Sequence, residues 1–160
     1  MRDPKKLTRP ENYYIRILLK EIKLKDVMTD QIISVNVEAP FSEVAEKLTN
    51  HGFRHLPVVN DEKQLVGLIT ERDLFKIQAP RRLEDGSWYF DKDMLDAVIL
   101  KTVMIQNPFA MHPDDPLGEA VVQMVRHKYG CIPVVDDKGL LRGIITQMDI
   151  LKIAAQIYLE

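Results

Sequence analysis

The chain has 160 residues, 46% of them hydrophobic and 29% charged, which excludes disordered and fibrous classes and fits one compact domain or two small ones sharing a core. Lys plus Arg number 22 against 24 Asp plus Glu, and the formal charge of −2 argues against a dedicated nucleic-acid surface. The single cysteine, Cys131, leaves no internal disulfide, no Cys/His cluster has metal-ligand spacing, and no apolar run approaches the ~18 residues that span a bilayer.

The opening residues, MRDPKKLTRPENYY, lack an apolar signal region, so the chain reads as a cytoplasmic protein with no membrane association. Residues 1–25 nevertheless hold eight Lys/Arg and three Asp/Glu, a net of +5, which leaves −7 for the rest. Such an arm suits contact with a nucleotide, a nucleic acid or an acidic partner. The plainer reading, which we adopt, is a solvated terminus running into a helix. Tyr13, Tyr14, Ile17 and Leu18 recur at helical spacing, so residues 11–20 are expected to dock one face on the body.

Beyond the arm the chain repeats itself. A shift of 76 residues aligns 27–77 with 103–153 without a gap, and 16 of 51 positions are identical, where ordinary composition would give roughly three. The identities include Met28/Met104, Pro40/Pro116, His51/His127, Pro57/Pro133, Gly67/Gly143, Thr70/Thr146 and Asp73/Asp149. Each copy reads in the same order. An extended lead-in (32–37, 109–112) reaches a helix with Pro40 or Pro116 at its first position, and Asp114 or Asp115 is placed to cap the second copy's helix. Val44, Ala45 and Leu48, or Ala120, Val121, Met124 and Val125, form the buried face. His51 and His127 fall in the last turn, where an imidazole meets the helix dipole, and Gly52 and Gly130 offer the left-handed residue that ends it. Two apolar runs follow, 56–59 and 65–70 or 132–135 and 140–146, separated by NDEKQ or DDKG, so paired strands are expected. An amphipathic helix from Glu71 or Gln147 closes the unit.

The resulting expectation is an α/β (α+β) fold of two tandem β-α-β-β-α units, each too small for a core of its own, packed about a pseudo-twofold axis. Its parts are a basic arm (1–25), a first repeat (26–78), a linker (79–101) and a second repeat (102–160). Within the linker, Trp88-Tyr89-Phe90 reads as an aromatic cluster over a core edge, with a ligand lid as the other reading, and Asp91 or Asp93 starts a short helix through Leu100.

GLITERD and GIITQMD end a strand and open a helix. Thr70 with Asp73, and Thr146 with Asp149, have the spacing of a capping box, in which hydroxyl and carboxylate satisfy free N–H groups. The same pair can also serve a ligand, since a carboxylate there accepts hydrogen bonds from a ribose diol. Arg54 and His55 can meet phosphate or solvent, and Cys131 reads as a small buried apolar group. No nucleophile stands beside a base, so no catalytic apparatus and no catalytic cofactor are expected.

VMT and VMI at the starts, HLPVVND and CIPVVDD in the middle, and GLITERD and GIITQMD before the last helices make the chain resemble a tandem pair of CBS (cystathionine β-synthase) domains over about 26–78 and 102–158. That resemblance implies clefts that bind adenosine compounds such as AMP, ADP, ATP or S-adenosylmethionine. It assigns the ribose to Thr70 and Asp73 in one cleft and to Thr146 and Asp149 in the other. Phe53-Arg54-His55 and Tyr129-Gly130-Cys131 would frame the base, with Met28, Ile33, Met104 and Phe109 as apolar wall. It places Arg54-His55 opposite Asp149, and Gly130-Cys131, which brings no cation, opposite Asp73. The Asp149 cleft is therefore expected to be the stronger site for phosphorylated ligands. The implied protein is a regulatory module that works as a homodimer and signals to an effector protein. A ligand-free assembly scaffold and a gene regulator acting through the basic arm are the alternatives.

Overall fold

The computed structural model describes residues 9–50, 52–78 and 81–159; the helix-end role expected of His51, the side chain of Trp88 and the first eight residues of the basic arm lie outside the description. The chain is a mixed α+β pair of repeats. Helix α1 (Arg9–Glu21) and the single turn α2 (Leu24–Val27) precede β1 (Val35–Asn36), α3 (Phe41–Asn50), β2 (His55–Val59), β3 (Leu65–Thr70) and α4 (Glu71–Ile77). The linker holds a small hairpin, β4 (Arg81–Arg82) and β5 (Trp88–Tyr89), then α5 (Lys92–Asp96). The second repeat runs through α6 (Leu100–Val103), β6 (Ile105–Gln106), α7 (Leu117–His127), β7 (Cys131–Val135), β8 (Leu141–Thr146) and α8 (Gln147–Leu159). Among the described residues no helix is long and apolar enough to cross a membrane.

The two apolar runs of each repeat pair as antiparallel strands, His55 opposite Thr70 in one and Cys131 opposite Thr146 in the other. Both hairpins shift register at the same place, Val58/Val59 and Val134/Val135, so the repeat extends to an irregularity of the ladder. The first sheet has the order β1-β2-β3-β6.

β6 belongs to the second repeat in sequence but pairs with β3 of the first, and Thr29 of the first repeat exchanges backbone hydrogen bonds with Ile144 of the second. The lead-ins are thus traded. Leu24 is fully buried in the second repeat's core with Met111, Leu117, Ala120, Met124, Ile132, Val134 and Ile145. Leu95, Leu100 and Met104 join Phe41, Val44, Leu48, Leu56 and Ile69 in the first. Met104 lies against Gly67 and Met28 against Gly143, so a side chain at either glycine would collide with a methionine of the other repeat. Burying one such aliphatic side chain contributes roughly 1.5–3 kcal/mol, and here that stabilisation couples the repeats. Leu68, Cys131 and Ile144 form the seam between the sheets.

Several local expectations are corrected. Pro116 is the N-cap of α7 and not its first turn, and neither aspartate caps it: Asp114 accepts from Lys25 Nζ at 2.6 Å, while Asp115 accepts from the His112 backbone N–H at 2.7 Å. Val125 is 77% exposed because α7 turns its Leu117/Ala120/Val121/Met124 face to the core and Val125 lies off it. Gly52 is left-handed as expected, but in the second repeat Lys128 takes that conformation (φ 59) in place of Gly130. Tyr13, Tyr14, Ile17 and Leu18 face outward, and α1 docks through Leu19, whose backbone meets Gly118 of α7. Asp91 caps a helix that stops at Asp96, and a separate turn, α6, follows. Tyr89 and Phe90 line a 340 Å³ hollow beside α3, with Phe90 packed on the first core, which fits the core-edge reading of that cluster.

Candidate functional site

Thr70 ends β3 with extended backbone (φ −119°, ψ 158°) and caps α4. Its hydroxyl accepts from the Asp73 N–H (3.3 Å) and donates to Asp73 Oδ2 (2.6 Å), and its own N–H donates to the same oxygen (3.1 Å). Oδ1 is left for the Lys76 ammonium at 3.3 Å. Burial alone would raise the Asp73 carboxyl, but the Thr70 hydrogen bonds and Lys76 outweigh it and hold the group below the ordinary carboxylate value. Asp73 is a fixed carboxylate at neutral pH. Thr146 and Asp149 repeat the arrangement, with Oδ2 receiving the Thr146 N–H at 2.8 Å and hydroxyl at 2.7 Å. Both pairs are capping boxes, and the ordering of the carboxylate that capping requires is also what a ligand site requires.

A cavity of about 750 Å³ opens beside the first pair. Thr70, Glu71, Arg72, Asp73, Phe75 and Lys76 supply one side, and Arg54, His55 and Leu68 continue it within the first repeat. Ile105, Lys128, Tyr129, Gly130, Cys131 and Gln147 close it from the second repeat. Both repeats are needed to make it. Tyr129 is buttressed from behind, its ring stacked on Phe109 (centroids 5.6 Å, 17°) and on His127 (5.3 Å, 21°). His55 reaches across the seam to Gly130; burial, reinforced by the Arg54 charge, lowers its pKa and keeps the imidazole neutral. Burial pushes the Cys131 thiol up to about 12, so it lines the cavity as an apolar group.

Of the residues the sequence singled out, the cavity gathers Arg54, His55, Thr70, Asp73, Tyr129, Gly130 and Cys131. Thr146, Asp149 and Phe53 do not line it. Met28, Ile33, Met104 and Phe109 do not line this cavity: Met104 and Ile33 pack in the first core, Met28 packs on the second, and Phe109 stacks on Tyr129. Leu68, Phe75 and Ile105 form the wall instead, because the traded lead-in delivers Ile105 to the edge of β3. Gly130 and Cys131 face Asp73 in this cavity without bringing a charge, but the cleft as a whole is not poor in cations. Arg54, Arg72, Lys76 and Lys128 all line it. Arg72 and Lys76 stand in the same heptapeptide stretch as Thr70 and Asp73 and were legible there; Lys128 gave no local signal. Nor does His55 bring a charge, since it is neutral. Among the described residues, no group of three or more His, Cys, Asp or Glu could hold a metal ion.

The CBS domain pattern matches residues 24–79 and 100–156. A homoserine O-acetyltransferase of Methanococcoides burtonii is 32% identical over 139 residues, which is 87% of this chain and 25% of that protein. The chain spans about a quarter of the length of such curated enzymes. The CBS domain pair of protein MJ0100, solved with 5′-methylthioadenosine and S-adenosyl-L-methionine, superposes with a TM-score of 0.69 at 26% identity and covers 84% of this chain and 97% of its own. CBSX2 in complex with AMP gives a TM-score of 0.68 at 25% identity over 85% of this chain and 98% of its own. Two matched repeats occupying more than half of the sequence, in a fold shared with solved domain pairs, make this chain a member of the CBS domain family.

Proposed function

We propose that this protein is a regulatory module that binds an adenosine compound (AMP, ADP, ATP or S-adenosylmethionine) in the Asp73 cavity and passes the resulting change to an effector protein. The observation that carries this reading is the 750 Å³ cavity itself, within the 300–1,000 Å³ usual for small-molecule sites. Thr70 and Asp73 stand ordered on its wall, and the other repeat closes it. Solved pairs of this fold hold 5′-methylthioadenosine, S-adenosyl-L-methionine and AMP, which supports the ligand class. Asp73 Oδ1 would accept from the ribose diol in exchange for Lys76, Tyr129 would face the base, and Phe75, Leu68 and Ile105 would cover its apolar face. No catalytic role or cofactor enters this reading.

Because both repeats wall the cavity, ligand stabilises one relative arrangement of the pair, and it shifts the equilibrium only by its difference in affinity between arrangements. The signalling unit would be a homodimer. No residue of α8 is buried, and Met148, Leu151, Ile157, Tyr158 and Leu159 lie exposed along it. A helix with so broad an apolar surface is normally covered.

A melting-temperature screen against AMP, ADP, ATP, S-adenosylmethionine, NAD and adenosine tests the reading. Ligand at a hundredfold excess over its dissociation constant stabilises by about 2.7 kcal/mol. At least one compound should raise the melting temperature of the native protein and fail to do so for Asp73→Ala. No shift with any of them would favour a ligand-free scaffold and defeat the proposal.

A further inference from the structure

We infer that the Asp73 cavity selects adenosine ligands by their phosphate charge, taking ATP-like polyphosphates in preference to adenosine or the cationic S-adenosylmethionine. This rests on the nucleotide-site reading of the cavity and adds to it the ligand class. Four cations line the cavity, Arg54, Arg72, Lys76 and Lys128, against two carboxylates, Glu71 and Asp73. Only Lys76 is spoken for, by Asp73. Among the described residues, Arg54, Arg72 and Lys128 have no carboxylate within ion-pair distance. Three cations without an ion-pair partner line a space large enough for a nucleotide, at the strand entry, on the helix and on the opposite repeat.

The internal repeat shows that the fold itself does not dictate these cations. A position 76 residues away should carry similar chemistry if the residues served only the fold, as Thr70/Thr146, Asp73/Asp149 and Lys76/Lys152 do. Arg54, Arg72 and Lys128 correspond instead to Gly130, Met148 and Gly52. The fold therefore does not need cations at these places, and all three line one cavity. A guanidinium or ammonium hydrogen-bonded to a phosphate oxygen gains more than a neutral pair does, and Arg offers a fork that fits two such oxygens. S-Adenosylmethionine, with its sulfonium and ammonium against one carboxylate, meets the same cations as a like charge.

The test is calorimetric titration of the full chain with adenosine, AMP, ATP and S-adenosylmethionine, repeated for Arg72→Met combined with Lys128→Gly. That variant copies the other repeat, and glycine relieves the left-handed backbone at 128 (φ 59), so the fold is retained. Affinity should rise from adenosine through AMP to ATP, with S-adenosylmethionine weaker than AMP. The double variant should cut the ATP-to-adenosine ratio by about tenfold or more. Added salt should narrow the same ratio by screening. Arg126→Met, which removes a cation from α7 outside the cavity lining, should keep the ratio. Adenosine and ATP binding equally, or S-adenosylmethionine binding tighter than ATP, overturns the inference and leaves the nucleotide-site reading standing. An undiminished ratio in the double variant also overturns it. Failure of all four compounds to bind defeats both.

Discussion

His55 lies against Gly130 so closely that a Cβ at position 130 would stand 2.6 Å from Nε2 and 2.9 Å from Cε1. The contact joins the corner before β2 to the corner before β7, and both residues line the candidate site. Gly130 is a glycine for this approach and not for its backbone angles. Gly130→Ala should cost about 1–3 kcal/mol of stability by overpacking, measured by urea denaturation. Combining it with His55→Ala should recover most of that loss; equal losses in the single and double variants would show that the contact is not what constrains the position.

The traded lead-ins predict where a core mutation acts. Leu24→Ala should cost about 2–5 kcal/mol, and although Leu24 opens the first repeat in sequence, the loss falls on the second. Native-state hydrogen exchange should show lost protection in β7 and β8 before β2 and β3, since Leu24 packs with Ile132, Val134 and Ile145. The opposite order would contradict the exchange of lead-ins.

The two capping boxes allow folding and binding to be separated. Thr70→Ala and Thr146→Ala each remove a cap worth about 1 kcal/mol, and should lower the urea midpoint alike. Only Thr70→Ala should also weaken AMP or ATP, because Thr70 lines the cavity and Thr146 does not. Equal loss of affinity in both variants would place the ligand elsewhere.

Acid should destabilise the protein in a window set by His55. Its folded-state pKa is lowered from 6.5, so the unfolded chain takes up this proton first as pH falls. Stability is therefore full above about pH 6.5 and declines below it until the folded form also protonates. Asp73, lowered from 3.8, keeps its contribution above that value and loses it only at still lower pH. Between pH 7.5 and 5.5 the drop in the urea midpoint should be smaller in His55→Gln than in the native protein.

Light scattering at micromolar concentration should give twice the chain mass. Leu151→Lys, which charges an exposed position of α8, should give the monomer. A native monomer would remove the homodimer from the proposed mechanism.

The sequence by itself determined whatever depends on near neighbours along the chain. The 76-residue repeat, the paired strands, and the Thr-x-x-Asp caps were all legible, because strand pairing across a short turn and helix capping act over a few residues. It also marked Met28, Gly67, Met104 and Gly143 as paired identities without saying why. Only the tertiary structure decided that each methionine covers the other repeat's glycine, since that contact closes over some 37 to 115 residues of chain. The same holds for the site. Thr70, Asp73, Arg72 and Lys76 are neighbours and could be read together, but Tyr129, Lys128 and Ile105 join them only when the second repeat packs and its lead-in adds to β3. Spacing could not assign the left-handed residue either: a glycine was available at 130, yet the approach of His55 claims it, and Lys128 makes the turn.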